Sequence, residues 1–274
     1  MGVTIQDIAK LRKMSGAGMM DCKKALEETN CDFEAAMEII RKKGKAVAAK
    51  RSDREASEGC VLAAHNGEFA AVVSVNCETD FVAKNQETID LTQQILDVAM
   101  DKKPATKEEL LTLTLSDGRT ISDHITDRTG VTGEKTELGA YEFVKGAATT
   151  SYIHMGNKLA TVVAFNETIE AEMARDIAMQ VAAMNPVSVL PEQVPAHILD
   201  REREIARDKA IEAGKPENII DRIVEGSLQK YYKEYTLLQQ EYVKNNKMTI
   251  EQYLHTASKT LTVTEFKRVT LNAE

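Results

Sequence analysis

Few residues in this sequence are placed to do covalent chemistry. The five histidines, His65, His124, His154, His197 and His255, never stand three or four residues apart, so no helix face offers two imidazoles to a zinc ion. Cys22, Cys31, Cys60 and Cys77 lack any C-x-x-C spacing and read as free, buried thiols. Gly16-Ala17-Gly18 is a G-x-G, but it follows a helical pattern and opens no strand–turn–helix cradle for phosphate. No P-loop and no G-x-S-x-G nucleophile turn is present. The expectation is a protein with no catalytic residues, no metal site and no cofactor.

One short stretch stands out for another reason. Val75-Asn76-Cys77-Glu78-Thr79-Asp80-Phe81-Val82-Ala83-Lys84-Asn85 follows the apolar run 70–75 and precedes a helical pattern from Glu87. Asp80 could cap a helix with Phe81 tucked beneath it as a staple. Alternatively, Thr79, Asp80, Phe81 and Val82 form a stiff turn that presents one aromatic side chain to a partner, the residue type that dominates interface energetics. The residues alone leave both open. Met19 and Met20 pose a smaller question of the same kind. Two adjacent methionines cannot both point inward from one helix, so at least one is a soft contact surface.

The elements that must position these residues can be read from composition and periodicity. The chain has 274 residues, 43% apolar and 28% charged, with no Trp, seven Tyr and six Phe, which describes a globular protein with aliphatic cores. No apolar run is long enough for a membrane span, and the N-terminus lacks the unbroken apolar stretch of a signal peptide. A cytoplasmic protein is expected. Residues 1–54 carry twelve basic and eight acidic residues, and the remainder 23 basic and 35 acidic. A body at −12 argues against nucleic acid, which needs clustered cations. The tract 41–45, RKKGK, is expected to close a helix.

Three short helices are expected in residues 1–44. Thr4 and Asp7 cap the first, Ser15-Gly16-Ala17-Gly18 breaks it, the second starts near Met20 or Asp21, and Gly44 ends the third. Residues 45–58 read as a linker, with a helical first part, to a tethered module. Beyond it the chain repeats a strand–helix unit. "EFAAVVSVN" and "ETIDLTQQILDVAM" are echoed by "KLATVVAFN" and "ETIEAEMARDIAMQVAAM". Each strand ends in Asn (Asn76, Asn166) and each helix opens with Glu-Thr-Ile; residues 77–86 are extra in the first copy. Another strand is expected at 140–145. Residues 197–245 read as a charged helical hairpin broken at 213–216, with Asn218 as a cap and a thin seam of Leu199, Ala206, Ala210 and Ala213. A helix at 249–259 and a last strand at 261–271 follow, and that strand is expected to rejoin the second sheet.

"LRKMSGAGMMDCKKAL", "VNCETDFVAKN", "SYIHMGNKLATVVAFN", "IAMQVAAMNP", "GKPENIIDRIVEGSLQKYYKE" and "LLQQEYV" together resemble the bacterial elongation factor Ts family, the guanine-nucleotide exchange factors of elongation factor Tu. The resemblance implies an α+β architecture: an N-terminal three-helix ubiquitin-associated-like module, a core of two related small α+β subdomains, and an inserted antiparallel helical hairpin. The corresponding division is 1–54 for the module and linker, 55–133 for the first subdomain, 134–186 with 247–274 for the second, and 187–246 for the hairpin. It further implies that Thr79, Asp80, Phe81 and Val82 disturb the partner's magnesium site. Arg12, Met19, Met20, Lys23 and His154 are implied contacts with elongation factor Tu. The chain departs from the family in carrying Met14 where Thr is usual. A C-terminal helical module seen in some members is expected to be missing. The resemblance leaves homodimerisation through the hairpin open. The competing reading is a ubiquitin-associated-type peptide adaptor without exchange activity.

Overall fold

The computed structural model describes residues 2–271. Three helices come first: α1 (Ile5–Ser15), α2 (Met19–Glu28) and α3 (Phe33–Arg51). Thr4 closes a capping box with Asp7 at the head of α1, and Gly16, at φ 70°, ends it in the left-handed conformation. Asp32 caps α3 through the backbone N–H groups of Glu34 and Ala35. Leu11, Cys22, Leu26 and Ala36 form the small core between the three helices.

Gly44 does not end α3. The helix runs on to Arg51, so the tract 41–45 lies inside it rather than at its end. The reason is tertiary. Gly44 is buried against Gly130 of α7 (Ile121–Thr132), where a Cβ added to Gly130 would stand 2.4 Å from the Gly44 Cα. Two helices cross backbone to backbone at this point. The module is therefore docked through its third helix, and the first half of the expected linker, residues 45–51, is the last turns of that helix.

The central body holds two three-stranded antiparallel sheets. β1 (Glu58–His65), β2 (Phe69–Cys77) and β3 (Thr136–Lys145) form the first; β4 (Ala148–Ile153), β5 (Leu159–Phe165) and β8 (Val263–Thr270) form the second. Val61, Ala63, Ala70, Val72 and Val144 of the first sheet meet Ala160, Val162 and Ala164 of the second. These small side chains occupy alternate positions, so each central strand is buried on both faces. The other faces carry helices. α5 (Gln86–Lys102), α6 (Lys107–Thr112) and α7 cover the first sheet through Leu91, Ile95, Leu110 and Ile121. α8 (Ala171–Met184) and α11 (Ile250–Leu254) cover the second through Ile177, Val181, Ile250 and Leu254. β3 falls within 134–186, the span expected to open the second subdomain, yet it pairs with β2 along its length.

Two helix expectations change. Glu167-Thr168-Ile169 does not open α8, which starts at Ala171. Asn166 donates to the Thr260 carbonyl and accepts from the Thr262 N–H, and Glu167 accepts from Ser258 and Thr260. The segment is held by the chain entering β8, not by a helical turn. The charged helix pair is α9 (Ala196–Glu212) and α10 (Glu217–Tyr235), packed through Ala206, Ala210, Ile220 and Val224. α10 stops at Tyr235 instead of 245, and Pro216, not Asn218, precedes it. A 3-10 turn and a small hairpin, β6 (Glu241–Tyr242) and β7 (Asn245–Thr249), then lead into α11. No helix among the described residues is long and apolar enough to cross a membrane.

That small hairpin is fastened by Asp176 of α8, which is 5% exposed. Its carboxylate accepts from the hydroxyls of Tyr242 and Tyr253 and pairs with Lys244 at 2.6 Å. Burial pushes this carboxyl upward, but the Lys244 and tyrosine donors outweigh it and hold it below the ordinary carboxylate range. A depressed folded value means stability that is whole above the unfolded carboxylate's pKa, near 4, and lost as pH falls through the folded one. The urea midpoint of the parent is expected to exceed that of Asp176→Asn at pH 7. The gap should close towards pH 3, and a gap independent of pH would refute this account.

Candidate functional site

The stretch 78–85 joins β2 to α5. Its centre is α4 (Asp80–Ala83), a single turn of helix with Thr79 at its N-cap. Ala83 is the buried foot of the turn and Phe81 its outward point, 83% exposed. The staple arrangement is thereby excluded, because the ring stands out in solvent and is not packed beneath the turn.

The turn is tied on both sides. Upstream, Glu134 accepts from the Thr79 backbone N–H at 3.1 Å and from Thr79 Oγ1 at 2.8 Å. Glu78 accepts from the Lys135 N–H at 2.6 Å and pairs with Arg51, the last residue of α3, at 3.0 Å. Downstream, Asn85 caps α5 through the Glu87 N–H at 2.9 Å. The buried Arg128 of α7 then holds Glu87 and donates to Thr88 Oγ1. Within the turn Asp80 pairs with Lys84 at 2.6 Å, and that hydrogen bond holds the Asp80 carboxyl below its usual range. Asp80 therefore fixes the turn. Cys77 is buried, and burial together with the Glu134 charge pushes its thiol up to about 12, leaving no thiolate at neutral pH.

The β4–β5 turn lies beside the same edge. The Asn157 carbonyl accepts from the Val61 N–H of β1 at 2.7 Å, and Lys158 pairs with Glu58 at 2.8 Å. Lys158 also lowers the Asp80 pKa, so the two segments share one electrostatic neighbourhood. His154 is exposed at the tip of this turn, its Nδ1 3.0 Å from the Tyr152 hydroxyl. Its neighbour Met155 is 90% exposed. Sequence reasoning passed over Met155, although a Met between His and Gly in a turn is a visible signal.

In the N-terminal module, Met19 and Met20 are both exposed, as are Arg12 and Lys23, and Lys23 pairs with Glu27. Met14 is exposed as well. The Glu134 and Glu78 ties were also missed. They come from residues more than fifty positions apart in sequence, which no local pattern reveals. Among the described residues, no three His, Cys, Asp or Glu side chains converge as a metal set.

The site thus presents one aromatic side chain held outward on a turn anchored at both ends. The family described as Elongation factor TS matches residues 78–273, and the chain belongs to that family, the nucleotide exchange factors of elongation factor Tu. It is similar to the elongation factor Ts of Porphyromonas gingivalis, 76% identical over 274 residues and the whole of both chains. It is 55% identical to that of Azobacteroides pseudotrichonymphae over 275 residues, again across both chains. The elongation factor Ts of Christiangramia forsetii is 44% identical over 273 residues, 98% of each chain. The chain is an exchange factor and not a catalytic enzyme, and the adaptor reading is set aside.

Proposed function

We propose that Thr79–Val82 is the element through which this exchange factor disturbs the magnesium–phosphate site of elongation factor Tu, with Phe81 as the wedge. The observation that carries the reading is the exposure of Phe81 on a base tied at both ends. A factor that binds its partner more tightly without nucleotide must weaken nucleotide binding by the same ratio. Magnesium bridges phosphate oxygens to the partner's side chains in near-ideal octahedral geometry, so small displacements of its ligands are expensive. Apolar volume pushed into a packed framework forces such displacements. Asp80 keeps the turn in shape, and Thr79 and Val82 complete the contact surface. Arg12, Met19, Met20, Lys23 and His154 supply further contacts, the methionines by adaptable packing.

The finer architecture belongs to the same proposal: a ubiquitin-associated-like module, two related subdomains, and α9–α10 as an inserted antiparallel hairpin. The place of action is the cytoplasm, where translation runs. The test is release of fluorescent GDP from purified elongation factor Tu. Micromolar amounts of this chain are expected to accelerate release strongly, and an unchanged rate with folded chain would defeat the proposal.

The hairpin also offers a surface for self-association. Ile211 is 57% exposed and Ile219 37%, on either side of the turn between α9 and α10. Sedimentation equilibrium is expected to show a concentration-dependent dimer that Ile211→Glu dissolves. A parent that stays monomeric throughout would remove this part of the proposal.

A further inference from the structure

A wedge transmits force only if its base is stiffer than what it pushes against. α4 is one turn of helix, too short to hold its shape by its own hydrogen bonds. The stiffness must come from outside the turn, and the structure shows where. The β2–β3 ladder ends at the pair Cys77–Thr136. Beyond it the two strands continue to hold one another, but through side chains. The Glu134 carboxylate accepts from the Thr79 N–H and hydroxyl, while the Glu78 carboxylate accepts from the Lys135 N–H. Each strand end thus donates a backbone N–H to the other's carboxylate. A backbone N–H donated to a carboxylate makes a shorter and stronger bond than one donated to a neutral acceptor. Arg51 Nη1 adds contacts of 3.2 and 3.0 Å to the two Glu78 oxygens, so the last residue of α3 closes on the same clasp.

We infer that Glu134 is a positioning residue for nucleotide exchange: with Glu78 it forms a reciprocal carboxylate clasp that fixes the direction in which Phe81 points. The inference rests on the wedge reading of Phe81. Thr79 immediately precedes the helical turn that bears Phe81, and Glu134 binds Thr79 by both backbone and side chain. Losing that grip frees the entry to α4 while leaving Ala83 buried and the sheets intact. Glu134 acts through Phe81.

The experiment uses the full chain with elongation factor Tu carrying fluorescent GDP, and reads both the maximal release rate at saturating factor and the half-saturating concentration. The variants are Glu134→Ala, Glu134→Gln, Phe81→Ala and the Glu134→Ala/Phe81→Ala pair, each checked by thermal melting. Glu134→Ala is expected to lower the maximal rate about tenfold, the equivalent of one charged hydrogen bond, with little change in half-saturation. Glu134→Gln, which keeps one acceptor oxygen, should fall between it and the parent. The double variant should release GDP no more slowly than Phe81→Ala alone, because both changes act on one group. Parental rates from folded Glu134 variants, or losses that multiply in the double variant, would overturn the clasp alone. Parental release by Phe81→Ala would remove the wedge and the clasp together. Should Glu134→Ala fail to fold, Glu134→Gln and its pairing with Phe81→Ala carry the same comparison.

Discussion

A Phe81→Ala chain is expected to melt with the parent and to release GDP from elongation factor Tu roughly ten- to a hundredfold more slowly. The two halves of this result have separate causes. Phe81 is 83% exposed and touches no core, so truncating it falls among surface substitutions that change stability by about 0.5 kcal/mol or less. In the complex, burial of the ring contributes about 2–3 kcal/mol. Part of that is spent displacing the partner's framework, and each ~1.4 kcal/mol of it is a factor of ten in rate. Phe81→Leu should retain a substantial share, since it keeps apolar volume but not the ring's reach. Stopped-flow release at saturating factor distinguishes the outcomes. A variant that melts far below the parent would show Phe81 to be structural, and one that releases GDP at the parental rate would place the wedge elsewhere.

Gly130→Ala is expected to destabilise the chain clearly, and Gly44→Ala, at the same crossing, to be harmless. A Cβ on Gly130 would stand 2.4 Å from the Gly44 Cα and 3.5 Å from its N and C atoms. These are backbone atoms within α3, so no side chain can swing aside and the helices must separate. Overpacking of this kind costs about 1–3 kcal/mol, occasionally more, against a gain of about 1 kcal/mol in helix propensity. A Cβ on Gly44 finds the Gly130 Cα at 3.5 Å, an ordinary contact, and keeps the propensity gain. Thermal melts should therefore move in opposite directions. Hydrogen exchange should show α3 opening in Gly130→Ala while β2 and β5 stay protected. Equal effects from the two alanines would mean that the crossing is not as close as described. Because Arg51 at the end of α3 pairs with Glu78, Gly130→Ala should also slow exchange.

The same crossing explains where the sequence could be read and where it could not. β2 and β5 were legible because both faces are buried, and a continuous Ala/Val run between polar ends has few other uses. α1 was legible from Thr4 and Asp7, since a capping box is a local device. Gly44 misled because glycine ends helices when nothing is packed against it. Here a second glycine 86 positions later needs the space. Glu167-Thr168-Ile169 misled in the opposite way: its sequence matches the start of α5, but the Glu167 side chain is engaged by Ser258 and Thr260, and Asn166 before it by the Thr260 carbonyl. The strands β1 and β4 and the small β6–β7 hairpin after α10 carry no distinct periodicity and went unread. At the site, Thr79–Val82 stood out because a lone Phe among polar residues is unusual. Its outward aim follows from Glu134, Glu78 and Arg128, which only the folded chain brings together.

The second sheet has a consequence for how the chain is made. β5 pairs on one side with β4, its immediate predecessor, and on the other with β8, which begins about a hundred residues after β5 ends, beyond the α9–α10 pair. The first sheet is complete by residue 145. At a translation rate of roughly 5–20 residues per second, the open edge of β5 waits about 5–20 s for its partner strand. During that interval a two-faced apolar strand offers unpaired N–H and C=O groups to any neighbouring chain. A factor that serves the ribosome is itself most vulnerable to aggregation while still emerging from one, and slowing synthesis across the hairpin would lengthen that exposure.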